Sequence, residues 1–250
     1  MKTEEEGKRL VEIKDLSRQF GTQVALDNVS LSIEPGQVLG LVGINGAGKT
    51  TLIKHILGLL TAKAGSVRVF GKDPVKDPVH VLGRIGYLSE ERELPEWMTI
   101  DELMRYMSAF YPEWDQTYAD SLCDTFGLDT SLKIKELSKG MRAQTALIAA
   151  VAHRPELLVL DEPSSGLDVI VRRDILGEIV RAVAEEGRSI LFSSHLLDEV
   201  ERMADCVAMI HEGKIVMEGP VEQIGEEHNG SLEDVFIRLA GDRSTACMEN

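Results

Sequence analysis

The chain has 250 residues, 43% hydrophobic and 28% charged, and its 27 basic and 42 acidic side chains give a formal net charge of −15. That length allows one large α/β domain or two small ones. So acidic a chain is repelled by nucleic acid and anionic lipid unless its basic residues cluster, and no basic cluster, no apolar run of about 18 residues and no apolar signal core in MKTEEEGKRL is visible.

In chain order, Val11–Ile13 and Ala25–Ile33 read as β-segments, with Gly21 and Thr22 able to supply the turn. After Pro35-Gly36, Gln37–Val42 is an apolar run of the buried-strand kind, leading into a glycine-rich loop and a helix from about Lys49 to Leu59. Strands are expected at Ser66–Phe70 and Ile85–Leu88. Between Glu90 and Gly140 strand signals vanish, and Thr99–Phe110 and Asp115–Phe126 carry helical periodicity, which predicts an α-helical insertion. Strands resume at Leu157–Leu160, Ser189–Phe192, Cys206–Ile210 and Lys214–Met217, with helices at Val169–Glu186 and Leu196–Met203. Strand alternating with helix implies a mostly parallel sheet covered on both faces, with its ligand beyond the carboxyl ends of the strands. Cys123, Cys206 and Cys247 lack metal-ligand spacing and read as isolated reduced thiols of a cytosolic protein. The acidic run of Glu218, Glu222, Glu226, Glu227, Glu233 and Asp234 reads as a solvated helical face.

The strongest chemical signal is Gly43-Ile44-Asn45-Gly46-Ala47-Gly48-Lys49-Thr50, which fits G-x-x-x-x-G-K-[ST] between a strand and a helix. Its glycines let backbone N–H groups converge on phosphates, and the helix N-terminus adds its positive dipole end. Lys49 is expected to reach the β- and γ-phosphates and Thr50 to bind Mg²⁺. Gly43, Asn45, Gly46, Ala47, Gly48, Lys49, Thr50 and the following Thr51 form the expected nucleotide-binding set. The strand Leu157–Leu160 ends in Asp161-Glu162, beside that loop. Asp161 suits the Mg²⁺ shell, and Glu162 suits polarising an attacking water.

With Leu137-Ser138-Lys139-Gly140-Met141-Arg142 the chain resembles the ATP-binding-cassette (ABC) ATPases, whose signature reads LSGGQ. Ser165-Gly166-Leu167-Asp168 looks like the family's D-loop, His195 like its switch histidine, and Phe20 stands where the family stacks an aromatic on adenine. The resemblance runs from about Val11 to Gly219 with these landmarks in order. It implies an α/β fold: a P-loop NTPase core with a mostly parallel sheet, an N-terminal antiparallel β-subdomain and an inserted α-helical subdomain. Residues 1–240 form one ABC ATPase domain on this reading, with the core at 1–89 and 141–219, the helical part at 90–140, short helices at 220–240, and a disordered tail at 241–250. It implies ATP and Mg²⁺ as cofactors, catalysis by Glu162, His195 and Lys49, and metal ligation by Thr50, Glu90 and Asp161. It further implies a head-to-tail dimer with a second copy or a similar ATPase, in which Ser138, Lys139, Gly140 and Asp168 face the partner's nucleotide. Ser138 also reads, from its position alone, as the N-cap of a helix.

Two departures stand out. The family usually places Gln after the Ile-Gly-Tyr-Leu strand, and here Glu90 follows Ser89, bringing a third acid near Asp161 and Glu162 and an expected rise in the pKa of at least one. The signature reads LSKGM, so Lys139 adds a positive charge where a triphosphate is expected, and Met141 loses an amide.

For the biological task, the resemblance favours the motor of a transporter at the inner face of the cell membrane, driving a separate permease subunit. Leu232–Leu239 (LEDVFIRL) fits the ending of exporter-type ATPases. The alternative is a soluble ABC ATPase acting on a cytosolic partner. Translation-factor types carry two cassettes and this chain has one phosphate loop, while chromosome-type ATPases need coiled coils that no heptad pattern here provides. Leu94, Pro95, Trp97, Met98 and Ile100 either line a docking groove for the permease or pack the helical subdomain. Trp97, Met98 and Tyr106 are expected to be core.

Overall fold

The computed structural model describes residues 9–165, 180, 183–228 and 231–238. Three strands form an antiparallel sheet in the order β2 (Gln23–Ile33), β1 (Val11–Phe20), β4 (Ala64–Val69). β1 is longer than its apolar start suggests. Its register against β2 slips between Ile13 and Leu16 and again up to Gln19, and Asp15 sits at φ 50. Such bulges break the period-2 alternation on which strand recognition depends.

The second sheet is six-stranded, in the order β5 (Ile85–Leu88), β6 (Leu157–Leu160), β7 (Ser189–Ser194), β3 (Val38–Val42), β8 (Cys206–His211), β9 (Lys214–Pro220), parallel except for the β8–β9 hairpin. Its strands are apolar throughout because both faces are covered. Leu157 and Val159 join the core beneath the antiparallel sheet, while Leu158 and Leu160 join the core on the opposite face. Helix α1 (Lys49–Ile56) supplies Leu52, Ile53 and Ile56 to the first core. Helices α2 (Pro78–Leu82), α6 (Leu197–Met203) and α7 (Val221–His228) contribute to the two covering layers through Val81, Val200 and Ile224. The proline-led α2 is one short turn, below the length that periodicity reveals. Residues 232–238 are helical, with Leu232, Val235 and Phe236 packed into the second core.

Helices α3 (Ile100–Ser108), α4 (Gln116–Thr125) and α5 (Lys139–Val151) enclose a third core around Ile100, Leu103, Ala119 and Ile148. Each starts on a side-chain cap: Thr99 in a reciprocal capping box with Glu102, Asp115 accepting from the Tyr118 N–H, and Ser138 accepting from the Met141 N–H. α5 belongs to both halves of the molecule. Its later turns carry Ala146, Ala149 and Ala150, and a Cβ added at Gly86 of β5 would lie 2.1 Å from the Ala150 carbonyl oxygen. Only a glycine lets strand and helix approach so closely. The expected helix at Val169–Glu186, Asp168 and Cys247 lie outside the described residues, wholly or for the helix in most of its length; Cys123 is buried and Cys206 half-buried, both as free thiols.

Candidate active site

Three neighbouring parallel strands, β6, β7 and β3, deliver the chemically distinctive residues. Val42 pairs with Ser194, and Leu160 with Phe192. The loop after β3, the acids after β6 and the histidine after β7 therefore emerge side by side, where the strand order reverses around β3.

The loop runs from Gly43 to Gly48 and closes on α1. Gly46 and Gly48 take φ of 83° and 115°, and a Cβ at Gly48 would lie 2.5 Å from the Ala25 carbonyl oxygen. Glycine is thus required there by both conformation and space. The loop is tied to its surroundings: Ala47 N–H donates to Ile44, and Gly213 N–H to the Ala47 carbonyl. Asn45 and Gly46 are exposed at its tip, Gly43, Ala47 and Gly48 are buried, and Thr50 and Thr51 are half-buried on the first turn of α1.

Lys49, 5% exposed, folds back under the loop, and its Nζ donates to the Gly43 carbonyl and lies 2.9 Å from Glu162 Oε1. Glu162, 4% exposed, accepts from His195 Nδ1 on its other oxygen at 2.7 Å. Its Oε1 faces the lysine without an aligned hydrogen-bond donor. The carboxylate so placed is an acceptor flanked by a cation and an imidazole. Glu162 sits at φ 47, the left-handed region that side-chain-bearing residues rarely adopt. Its N–H donates to Ser193 Oγ at 2.9 Å, and the same hydroxyl donates to Asp161 Oδ1 at 2.7 Å. Nothing in the local sequence singles out Ser193, although its hydroxyl beside a buried carboxylate holds these two acids in order. Beneath them the buried Glu199 accepts from Ser164 and Ser194 hydroxyls, both at 2.9 Å. That link also escaped sequence reading.

The remaining sequence candidates are not gathered there. Phe20 ends β1, 45% exposed, with the Arg18 guanidinium 4.6 Å over its ring. A cavity of about 450 Å³ lined by Arg18, Gly21, Val24 and Leu26 lies on this side, and Leu26 abuts Gly48. Ser138 and Lys139 are exposed and Gly140 half-buried at the start of α5. Glu90 is exposed past β5; burial lowers the pKa of the neighbouring Arg92, and the charge of Glu90 partly offsets this. Tyr87, half-buried in β5, has its phenol pushed up to about 12, by burial first and then by the charges of Asp161 and Glu91.

The apolar segment after Glu90 divides. Met98 and Ile100 are core, whereas Trp97 is 69% exposed and Tyr106 about half. The expectation that Trp97 and Tyr106 are core is corrected: Trp97 lies in the open turn before α3, and Tyr106 is on its outer face, edge-on to exposed Phe110. Leu94 and Pro95 line a groove of about 420 Å³ with Leu57, Tyr106, Met107 and Tyr111.

With this geometry in view, the comparisons with known proteins are consistent among themselves. The family described as ABC transporter matches residues 26–165. The chain is 36% identical to the ABC transporter ATP-binding protein NatA of Bacillus subtilis over 91% of its length and 97% of the relative's. It is 31% identical to the bacitracin transport ATP-binding protein BcrA of Bacillus licheniformis, over 90% of this chain and 74% of that one. A solved structure of the ATP binding subunit of an ABC transporter superposes with a TM-score of 0.84 at 29% identity, covering 92% of this chain and 99% of the other.

Proposed function

Because the chain belongs to the ABC transporter family, as an ATP-binding subunit and ATPase of a transporter complex, we propose the following division of labour among its residues. The triphosphate of ATP rests on the N–H groups of Gly43 to Thr51 and on the N-terminal end of α1. Lys49 exchanges its contact with Glu162 for the β- and γ-phosphates. Glu162, released from the lysine, accepts the proton of the attacking water, while His195 orients that water and the terminal phosphate. Phe20 stacks on adenine.

Thr50 and Asp161 fit a Mg²⁺ site of the kind that travels with a nucleotide: one hydroxyl at the start of α1 and one carboxylate that Ser193 holds in place. Mg²⁺ favours one or two carboxylates plus substrate phosphates over an all-protein cage. When bound, it offsets the charge on the phosphates; Glu90 is a third candidate ligand from the far side.

Two copies, or this chain and a similar ATPase, pair head to tail, so that Ser138, Lys139 and Gly140 at the start of α5 meet the nucleotide held by the other subunit. Asp168 belongs to the same interface but lies outside the described residues. The capping geometry supports this, since N–H groups that cap a helix also bind anions. Among the described residues no helix is long and apolar enough to cross a membrane. The partner that crosses it is a permease, which holds this subunit at the inner face and docks an apolar helix in the groove lined by Leu94, Pro95, Tyr106 and Met107. Export is the direction favoured by the resemblance of the Leu232–Leu239 segment to exporter-type ATPases.

The observation that carries the proposal is the buried Glu162 carboxylate set between Lys49 and His195. Glu162→Gln tests it. Turnover is expected to fall by about a hundredfold or more, with ATP affinity kept and a dimer accumulating under saturating ATP and Mg²⁺. Retained turnover, or a variant that stays monomeric under those conditions, refutes the assigned role.

A further inference from the structure

One buried charge near this site plays no part in the steps above. Arg92, 9% exposed, sits in the wall of the docking groove at φ 48, its N–H bonded to the carbonyl and hydroxyl of Ser89. Its Nη2 donates to the Pro163 carbonyl at 2.5 Å, a link spanning 71 residues, while its Nε is buried without a partner. A guanidinium placed so is a poor stabiliser, because an apolar side chain would fill the wall without the desolvation.

What it grips is the turn that carries Glu162. The Glu162 N–H is held by Ser193 Oγ, and its carbonyl accepts from Ser165 N–H at 3.0 Å. Pro163 has no N–H, so its carbonyl is the next backbone group by which the turn can be fixed. A left-handed non-glycine residue persists only where its surroundings over-determine it. Ser193 and Arg92 hold this one from either side.

We propose that Arg92 is a positioning residue for hydrolysis, holding the Pro163 carbonyl so that the Glu162 carboxylate keeps the orientation its task requires. This rests on the reading of Glu162 as the group that polarises water. The test uses the purified full chain and steady-state ATPase kinetics of wild type, Arg92→Met, Arg92→Lys and Glu162→Gln. Arg92→Met is expected to lower kcat about tenfold or more, since a small misplacement of a reacting group is that costly, with KM for ATP within about twofold. Arg92→Lys, which keeps one donor, is expected to fall between it and wild type. An unchanged kcat in Arg92→Met, or a fall in kcat matched by a fall in ATP affinity, overturns the proposal. Should Arg92→Met not fold, Arg92→Lys decides, and a wild-type kcat there overturns it equally. If Glu162→Gln itself turns over normally, the underlying reading fails; if only the Arg92 variants do, this inference alone fails.

Discussion

The helical layer and the strand ends follow different rules. In the layer, α3, α4 and α5 each begin on an oxygen-bearing cap in extended backbone, followed by apolar residues at helical spacing. At the strand ends, Gly46, Gly48 and Glu162 take positive φ, and a lysine and a glutamate are buried against one another. Local propensity is sufficient where only packing is at stake. At the strand ends a departure from it, the left-handed Glu162, is held in place by neighbours such as Ser193.

The sharpest way to break this contrast is Lys49→Ala. It should abolish measurable ATP binding, a loss of well over a hundredfold by titration with labelled nucleotide, because it removes the cation the loop is wrapped around. Retained affinity would mean that the buried charge there is structural after all.

A second test lies at the seam between the two regions, where His153 follows α5. It is buried, donates from Nε2 to the Ile85 carbonyl, stacks on Tyr111 at 3.9 Å, and has its pKa lowered to about 4, chiefly by burial. Its folded pKa lies below its ordinary value of 6.5, so the unfolded chain takes up the proton first on acidification. The contribution of this group is complete above pH 6.5 and is lost progressively as pH falls toward 4, by about 3 kcal/mol in all. Urea unfolding across that window should show the loss, and His153→Gln should flatten it; equal slopes in the two proteins would sink the assignment.

Thr99→Ala probes the opposite region and should cost about 1 kcal/mol of stability while leaving kcat unchanged, a result that would confirm the layer as purely local construction. The smallest effect belongs to Glu90→Gln. A few-fold change in Mg²⁺ dependence or a shifted pH profile is expected, and identical curves would count against a metal-facing role.

How far the sequence revealed this arrangement follows the same division. The phosphate loop, the Asp161-Glu162 pair and the strand Ile85–Leu88 were legible because each is contiguous and ruled by one local constraint. In β1 only the start, up to Ile13, is legible, because its bulges scramble the alternation. The Arg92–Pro163 hydrogen bond and the Ser193–Asp161 hydroxyl link join residues 71 and 32 positions apart, and no local pattern encodes them. The exposure of Trp97 and Tyr106 was equally hidden, since an aromatic near apolar residues has the same signature in a core and on a surface.

α5 carries one further consequence. Its 13 residues make a rod about 20 Å long. The far end is clamped to the core sheet by the Gly86–Ala150 approach and, just past it, by His153 Nε2 on the Ile85 carbonyl. The near end is bound to the helical layer through Arg142, which reaches Glu96 and the Ile134 carbonyl. Such a rod cannot slide along its seat without steric collision at Gly86. Its geometry is that of a lever seated at Ala150: over about 18 Å of helix, a tilt of roughly 3° there would displace Ser138 by about 1 Å.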